Sequence, residues 1–160
     1  MDDDDEPEPA TLDDVPGIVD LVGEMYSDMA EEYVGIRSFV SVEWVAKAGD
    51  ALRERFGHDV TAFVIRQPSG RVVSVAVGRL HQTLPSPRRV GTIAGYIEWV
   101  ATDVEMRRRG YARSVVTALM AWFEEQGAQV VDLTASRTAE PLYRQLGFDG
   151  EGPIALTRRI

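Results

Sequence analysis

Apolar residues recur at Ala112, Val115, Val116, Leu119, Met120 and Phe123, the spacing that lays one face of a helix on a core. Glu124 and Glu125 fall on the opposite face, and Gly127 supplies a stop. Immediately upstream the pattern changes: residues 96–102 are an apolar, β-branched run read as a strand, and a basic turn, Arg107-Arg108-Arg109-Gly110, joins the two. Earlier in the chain, Ile18, Leu21, Val22, Met25 and Met29 share a helical face, with Asp14 as N-cap and Pro16 tolerated in the first turn. A second helix is expected after Ser41 as N-cap, with Val42, Val45, Leu52 and Phe56 turned inward, while residues 31–39 show no clear period.

The strand signals complete the outline. Residues 60–66 and 71–80 are β-rich runs separated by the turn Gln67-Pro68-Ser69-Gly70, which predicts an antiparallel hairpin. Residues 85–89 read as a loop, and Gly91 opens a long strand ending at Thr102. Residues 130–133 make a short strand parallel to it by the crossover rule, 139–146 a short helix stopped by Gly147, and 154–159 alternate like a final strand. A short first strand is expected near residues 8–10. Strands followed by a strand–helix–strand unit predict an α/β (α+β) fold: a three-layer sandwich with a mixed, mostly antiparallel sheet and helices on both faces.

Composition narrows the chemistry. At 160 residues and 44% hydrophobic, the chain fits one domain with a sizeable core, taken as residues 11–160, and no apolar run reaches the 18 residues that a membrane span needs. There is no cysteine, which removes disulfides, thiolate nucleophiles and cysteine-based zinc sites, and His58 and His81 match no metal motif, so no metal is expected. Removing the six acids of residues 1–10 from the net −9 leaves −3 for the body. The leading acids read as a solvated, disordered tail, and their sign opposes a targeting peptide, so the expected location is cytoplasmic. Neither nucleic acid nor membrane is an expected partner.

A strand, a glycine-containing basic loop and a helix N-terminus form an anion site, because the first helical turn offers unpartnered N–H groups and the positive end of the dipole. Gly110 and Ala112 let a phosphate approach the backbone, and Arg107, Arg108 and Arg109 add charge-assisted hydrogen bonds. The bland alternative is a solvated surface turn.

Two segments in order carry a resemblance. Arg107-x-x-Gly110-x-Ala112 resembles the Arg/Gln-x-x-Gly-x-Gly/Ala signature of the GCN5-related N-acetyltransferase (GNAT) superfamily, and Ala139-Glu140-Pro141-Leu142-Tyr143-Arg144-Gln145-Leu146-Gly147-Phe148 resembles its late A-x-x-L-Y-x-x-x-G-F segment. The resemblance implies an acetyl-CoA-dependent N-acetyltransferase acting on a primary amine, on a small molecule or a protein, by direct attack in a ternary complex. It places the cofactor's pyrophosphate on Arg107, Arg108, Arg109, Gly110, Tyr111 and Ala112, and its pantetheine arm along the backbone of Val100, Ala101 and Thr102, like an added strand. Tyr111 would contribute its backbone N–H and packing. Ser136 stands where many members carry an asparagine on the arm; it can still donate and accept, with one donor fewer.

For the chemistry, transfer to an amine passes through a tetrahedral oxyanion and expels a thiolate. A phenol is protonated at neutral pH, and Tyr143 aligns with the family's proton donor, though it equally suits an amphipathic packing position beside Leu142 and Leu146. Glu98, inside the apolar Tyr96-Ile97-Glu98-Trp99-Val100, is either a partly buried general base or an outward-facing and inert carboxylate; alternation places it on the face of Tyr96 and Val100. Asp132 is the weaker candidate. The aromatics Tyr26, Tyr33, Trp44 and Trp99 suit an acceptor pocket or the core. The competing readings are a catalytically inactive acyl-CoA-binding regulatory domain of the same fold and, disfavoured by the acidity, a phosphate- or RNA-binding domain. The family resemblance allows a monomer or a homodimer.

Overall fold

The computed structural model describes residues 5–33 and 40–160. A five-stranded sheet runs in the order β1-β2-β3-β4-β5, made of β1 (Glu8–Pro9), β2 (Val60–Arg66), β3 (Val72–Gln82), β4 (Ile93–Thr102) and β5 (Val131–Leu133). Every pairing is antiparallel except β4 with β5. Helices α1 (Val15–Glu32) and α2 (Val42–Arg55) cover one face, while α3 (Tyr111–Glu125) and α4 (Glu140–Gln145) cover the other. The expected three-layer sandwich is the observed one.

Two separate apolar clusters follow from strand alternation. Ala62, Val64, Val75, Val77 and Ala101 meet Ile18, Leu21, Val22 and Leu52 on one side. On the other, Ile65, Val73, Ala76 and Ile97 meet Val115, Val116, Leu119 and Phe123, the stripe on α3 that its sequence period marks out. Each fully buried Leu, Ile or Phe contributes about 1.5–3 kcal/mol of transfer free energy, so these two stripes fix how the helices sit.

Four local expectations are corrected. In α2, Val42 and Val45 are exposed; Ala48, Gly49 and Leu52 are buried instead. Trp44 sets that rotation by packing edge-on against Tyr26 and Trp99, with ring centroids 5.9 and 6.3 Å away, and the residues four and eight positions on follow it inward. Ser41 does cap this helix, accepting from the Trp44 N–H at 3.0 Å. At α1, Asp14 occupies the N-cap position without a side-chain cap bond. Finally, residues 154–159 form no strand: Ile154 and Leu156 are exposed and the segment belongs to no ladder, because alternation creates a strand only where a partner edge accepts it. The fourth correction concerns Glu98 and belongs to the site. At the other end of the chain, the sheet takes in Glu8 and Pro9 opposite Val64 and Phe63, inside the segment assigned to the tail. Residues 34–39 of the aperiodic stretch, and 1–4 of the tail, lie outside the described residues.

The Asp14 carboxylate is 6% exposed and accepts from Arg66 Nε at 2.8 Å, Arg66 Nη2 at 2.6 Å and the Thr11 N–H at 2.7 Å. Burial pushes its pKa up, but the Arg66 guanidinium and the Thr11 N–H outweigh burial and hold it below the ordinary carboxyl value. A group whose pKa is lowered by folding stabilises the fold above its unfolded pKa, near 4, and that stabilisation is lost as the pH falls through the folded value. Asp14→Asn is therefore expected to cost about 2 kcal/mol at pH 7, below the cost of breaking a fully buried pair because Arg66 keeps Glu8 as a partner. Denaturant melts should show the gap from wild type closing as the pH falls below about 4; a gap that persists at acid pH would contradict this account.

Candidate active site

A single inserted residue in a strand shows as a shift of register, and β4 carries one. Val77 of β3 faces Trp99, but Gly78 faces Ile97, so Glu98 is an extra residue in the ladder, a β-bulge. The bulge changes which side each later residue takes. Ile97 and Val100 both pack with the α3 cluster, whereas Trp99 and Ala101 pack with the α1–α2 cluster. Glu98 shares a face with Tyr96, as expected, but not with Val100; strict alternation fails across the inserted residue.

Past the bulge the sheet opens. β5 bonds β4 only from Gly95 to Ile97, opposite Val131 to Leu133. Beyond Leu133 the chain leaves the ladder, and among the described residues no strand pairs with the outer edge of β4 from Glu98 to Thr102. Val100, Ala101 and Thr102 thus line an open edge on which an extended ligand could hydrogen-bond as a strand would. The Thr102 hydroxyl is tied to Ser74 at 2.9 Å across β3, which steadies this edge from behind.

The edge runs directly into the basic loop. Asp103, 5% exposed, accepts from the Glu105 N–H at 2.9 Å and ion-pairs with Arg71, fixing a tight turn over Val104–Met106. Arg108 then takes φ +64° and Gly110 φ +81°. A non-glycine residue at positive φ costs about 1 kcal/mol or more and persists where the surroundings hold it. Positive φ at Arg108 and again at Gly110, with Arg109 between them, curls the backbone into the type of concavity that binds anions, and Gly110 is also the N-cap of α3. A Cβ built on Gly110 would meet nothing within 4 Å, so the space over the helix terminus is open.

The three arginines are not equivalent. Arg107 turns to α1 and ion-pairs with Asp28 at 3.0 Å, beside a cavity of about 620 Å³ that Gly23, Glu24, Thr102 and Val104 also line. Arg108 and Arg109 are exposed. Tyr111 is 5% exposed in the α3 cluster, and its hydroxyl donates to Asp5 at 2.7 Å; that hydrogen bond, with burial, raises the phenol above its ordinary pKa. Ala112, the second residue of the helix, is half-buried.

Ser136 lies in the turn between β5 and α4, where its hydroxyl accepts from the Ala139 N–H at 3.2 Å and keeps its own hydrogen to donate. Tyr143, on α4, is 7% exposed and packs edge-on against Phe148 with centroids 5.9 Å apart. Burial pushes its phenol up to about 12, so it stays protonated at neutral pH. Glu98 is exposed rather than buried, and its carboxylate pairs with Arg79 of β3, whose guanidinium also stacks 4.9 Å from the centre of the Tyr96 ring. Tyr143 and Glu98 therefore lie on opposite faces of the sheet and can share a ligand only through the opening between β4 and β5. Asp132, the weaker candidate, is exposed on β5.

Sequence reasoning did not find Arg79, Asp28, Asp5 or the contact of Tyr33, whose hydroxyl accepts from the Arg137 N–H at 2.8 Å. These contacts join positions 19 to 106 residues apart, and no local pattern marks them. Of the four aromatics, Tyr26, Trp44 and Trp99 form one packed group, closed by a 3.0 Å hydrogen bond from Trp99 Nε1 to the Tyr26 hydroxyl. Among the described residues no His, Cys, Asp and Glu group is placed to hold a metal, and no helix is long and apolar enough to cross a membrane.

A model of the acetyltransferase (GNAT) family matches residues 23–148. Among solved structures, the chain is similar to an acetyltransferase from Trypanosoma brucei, with 21% identity over 96% of this chain and 99% of that one and a TM-score of 0.70. It is similar to a predicted acetyltransferase with acetyl-CoA from Clostridium acetobutylicum, with 17% identity, 95% of both chains and a TM-score of 0.79. It is also similar to glucosamine-6-phosphate N-acetyltransferase from Arabidopsis thaliana, with 20% identity, 96% of this chain, 97% of that one and a TM-score of 0.70. At these identities the structural likeness carries the fold. No curated protein matches the sequence.

Proposed function

Since the chain belongs to the acetyltransferase (GNAT) family, we propose that it moves an acetyl group from acetyl-CoA to a primary amine by direct attack in a ternary complex. The observation that carries the proposal is the continuity of the site: an open β4 edge leads without interruption into a curled arginine loop at a helix N-terminus. The open space over Gly110 and the exposed guanidinium groups of Arg108 and Arg109 fit a pyrophosphate, and the edge at Val100, Ala101 and Thr102 fits an amide-bearing arm. Ser136, across the opening, would donate its remaining hydroxyl hydrogen to that arm.

Acetyl-CoA, when bound, supplies an activated thioester carbonyl. The residues of this chain then have two proton tasks. The Tyr143 hydroxyl, held protonated by burial, donates to the leaving sulfur. The Glu98 carboxylate accepts a proton from the incoming ammonium, directly or through water, from the other face of the opening. Arg79 orients that carboxylate through one oxygen and leaves the second free.

The test is a panel of amines assayed for thiol release from acetyl-CoA. Turnover with at least one amine is expected, and Tyr143→Phe should lower kcat about tenfold while leaving acetyl-CoA binding nearly unchanged, because a thiolate leaves tolerably without assistance. Saturable cofactor binding with no turnover across the panel would favour the inactive acyl-CoA-binding domain.

A further inference from the structure

Where β4 and β5 part, one turn of α1 holds both walls of the opening. On the β4 side, Asp28 ion-pairs with Arg107 at 3.0 Å, at the start of the arginine loop. On the β5 side, the hydroxyl of Tyr33, the C-cap of the same helix, accepts from the Arg137 N–H at 2.8 Å. The Arg137 guanidinium folds back to 5.4 Å from the centre of the Tyr33 ring, and the Thr138 hydroxyl donates to Glu32 at 3.3 Å. Ser136, the donor proposed for the arm, immediately precedes these two anchored residues. A further stitch comes from β4 itself: the hydroxyls of Tyr96 and Thr134 lie 2.9 Å apart, Thr134 being the first residue past the ladder.

The turn at Ser136 does not need α1 for its shape. Its carbonyl accepts from the Ala139 and Glu140 N–H groups at 3.2 and 2.9 Å, and its hydroxyl from Ala139 at 3.2 Å. What Tyr33 and Glu32 add is where that turn stands relative to β4. An arm lying between the walls as a strand would needs them about two strand spacings apart, roughly 9–10 Å. Residues 28 to 33 rise about 7.5 Å along a helix, so with a side chain at each end one turn reaches across. A helix is a spacer of fixed length, placed where the sheet has no ladder of its own to set the width.

We propose that residues 28–33 of α1 are a brace for the cofactor arm, with Tyr33 as its positioning residue: Asp28 holds the loop wall, and Tyr33 with Glu32 holds the Ser136 wall at the separation an interposed arm requires. This rests on the cofactor reading above and extends it to residues outside the loop and the β4 edge. Tyr33 acts through Ser136, so its contribution belongs to the arm and not to the phosphates.

The experiment is calorimetric titration of two ligands, CoA and its nucleotide half (adenosine 3′-phosphate 5′-diphosphate), into four full-length proteins: the wild type, Tyr33→Phe, Ser136→Ala and the double variant. Phenylalanine keeps the ring under Arg137 and removes only the hydroxyl. Tyr33→Phe is expected to weaken CoA about three- to tenfold, the effect of one hydrogen bond, and to leave the nucleotide half within about twofold of wild type. Retained binding of the nucleotide half also reports that the variant is folded with its loop intact. In the double variant the two losses should add to less than their sum, because both act on one contact. Unchanged CoA affinity in Tyr33→Phe overturns the brace, as do an equal loss for both ligands, which would make Tyr33 a general structural residue, and full additivity, which would place its effect elsewhere than Ser136. Absence of CoA binding in the wild type overturns the cofactor reading itself, and the brace with it.

Discussion

Arg109→Ala combined with Gly110→Asp is expected to raise the dissociation constant for acetyl-CoA at least about 100-fold, measured by calorimetry at low salt. Removing the guanidinium takes away charge-assisted hydrogen bonds worth about 1.5–3 kcal/mol. The new carboxylate stands at the N-terminus of α3, where the pyrophosphate would sit, and adds like-charge repulsion. Together these exceed the 2.7 kcal/mol, roughly, that a factor of 100 requires. The fold should survive, because a Cβ at Gly110 has open space around it and aspartate tolerates the left-handed region better than most residues. A carboxylate at a helix N-terminus also favours the helix, so thermal stability should hold while binding collapses. Gly110→Asn separates the causes: it shares the shape and the backbone cost without the charge. If it weakens binding as much as Gly110→Asp does, the loop acts through backbone geometry alone and the electrostatic account fails.

How much of this was legible beforehand depends on whether the physics is local. The α3 stripe from Val115 to Phe123, the β2–β3 turn and the loop at Arg107 to Gly110 are specified within a few residues by periodicity, turn chemistry and charge, and they appear where the sequence places them. The bulge at Glu98 is different. It is a mismatch between two strands, and nothing in β4 alone says which residue of β3 it must skip. The same holds for α2: its local pattern offers Val42 and Val45 as an apolar face, but a better one is available once Trp44 can reach Tyr26 and Trp99. Residues 154–159 show the converse failure, a strand pattern without an edge to join. At the site, the sequence marked the residues that carry a chemical type and missed those that matter through position, such as Arg79 holding Glu98 and Asp28 holding Arg107.

The second large effect lies beneath the site, at Gly95. The Phe123 ring of α3, 1% exposed, lies across β3 and β4 over two glycines. A Cβ on Gly95 would come within 2.6 Å of Phe123 Cδ1 and Cε1, and one on Gly78 within 2.6 Å of Phe123 Cζ and 2.9 Å of Leu119 Cδ1. No real contact is that short, and neither the strand backbone nor a fully enclosed ring has room to yield. Gly95→Val therefore has to expel Phe123 or lift α3, and the expected loss is about 3–5 kcal/mol, the scale of deleting a buried aromatic. For a chain of this size that corresponds to a fall in Tm of roughly 10 °C or more. Gly95→Ala should be milder and still fold. Pairing it with Phe123→Leu should recover part of its cost, since the smaller side chain vacates the space the methyl needs. The functional consequence is the sharper one. Gly95 is where β4 begins its pairing with β5, and the seat of α3 on these glycines sets where its N-terminus points. Gly95→Ala is thus expected to weaken CoA binding without touching a single loop residue, and Phe123→Leu to restore part of the affinity along with the stability. Affinity unchanged in a destabilised Gly95→Ala protein would show that the loop is held by its own turn and by Asp103, not by the packing of the helix behind it.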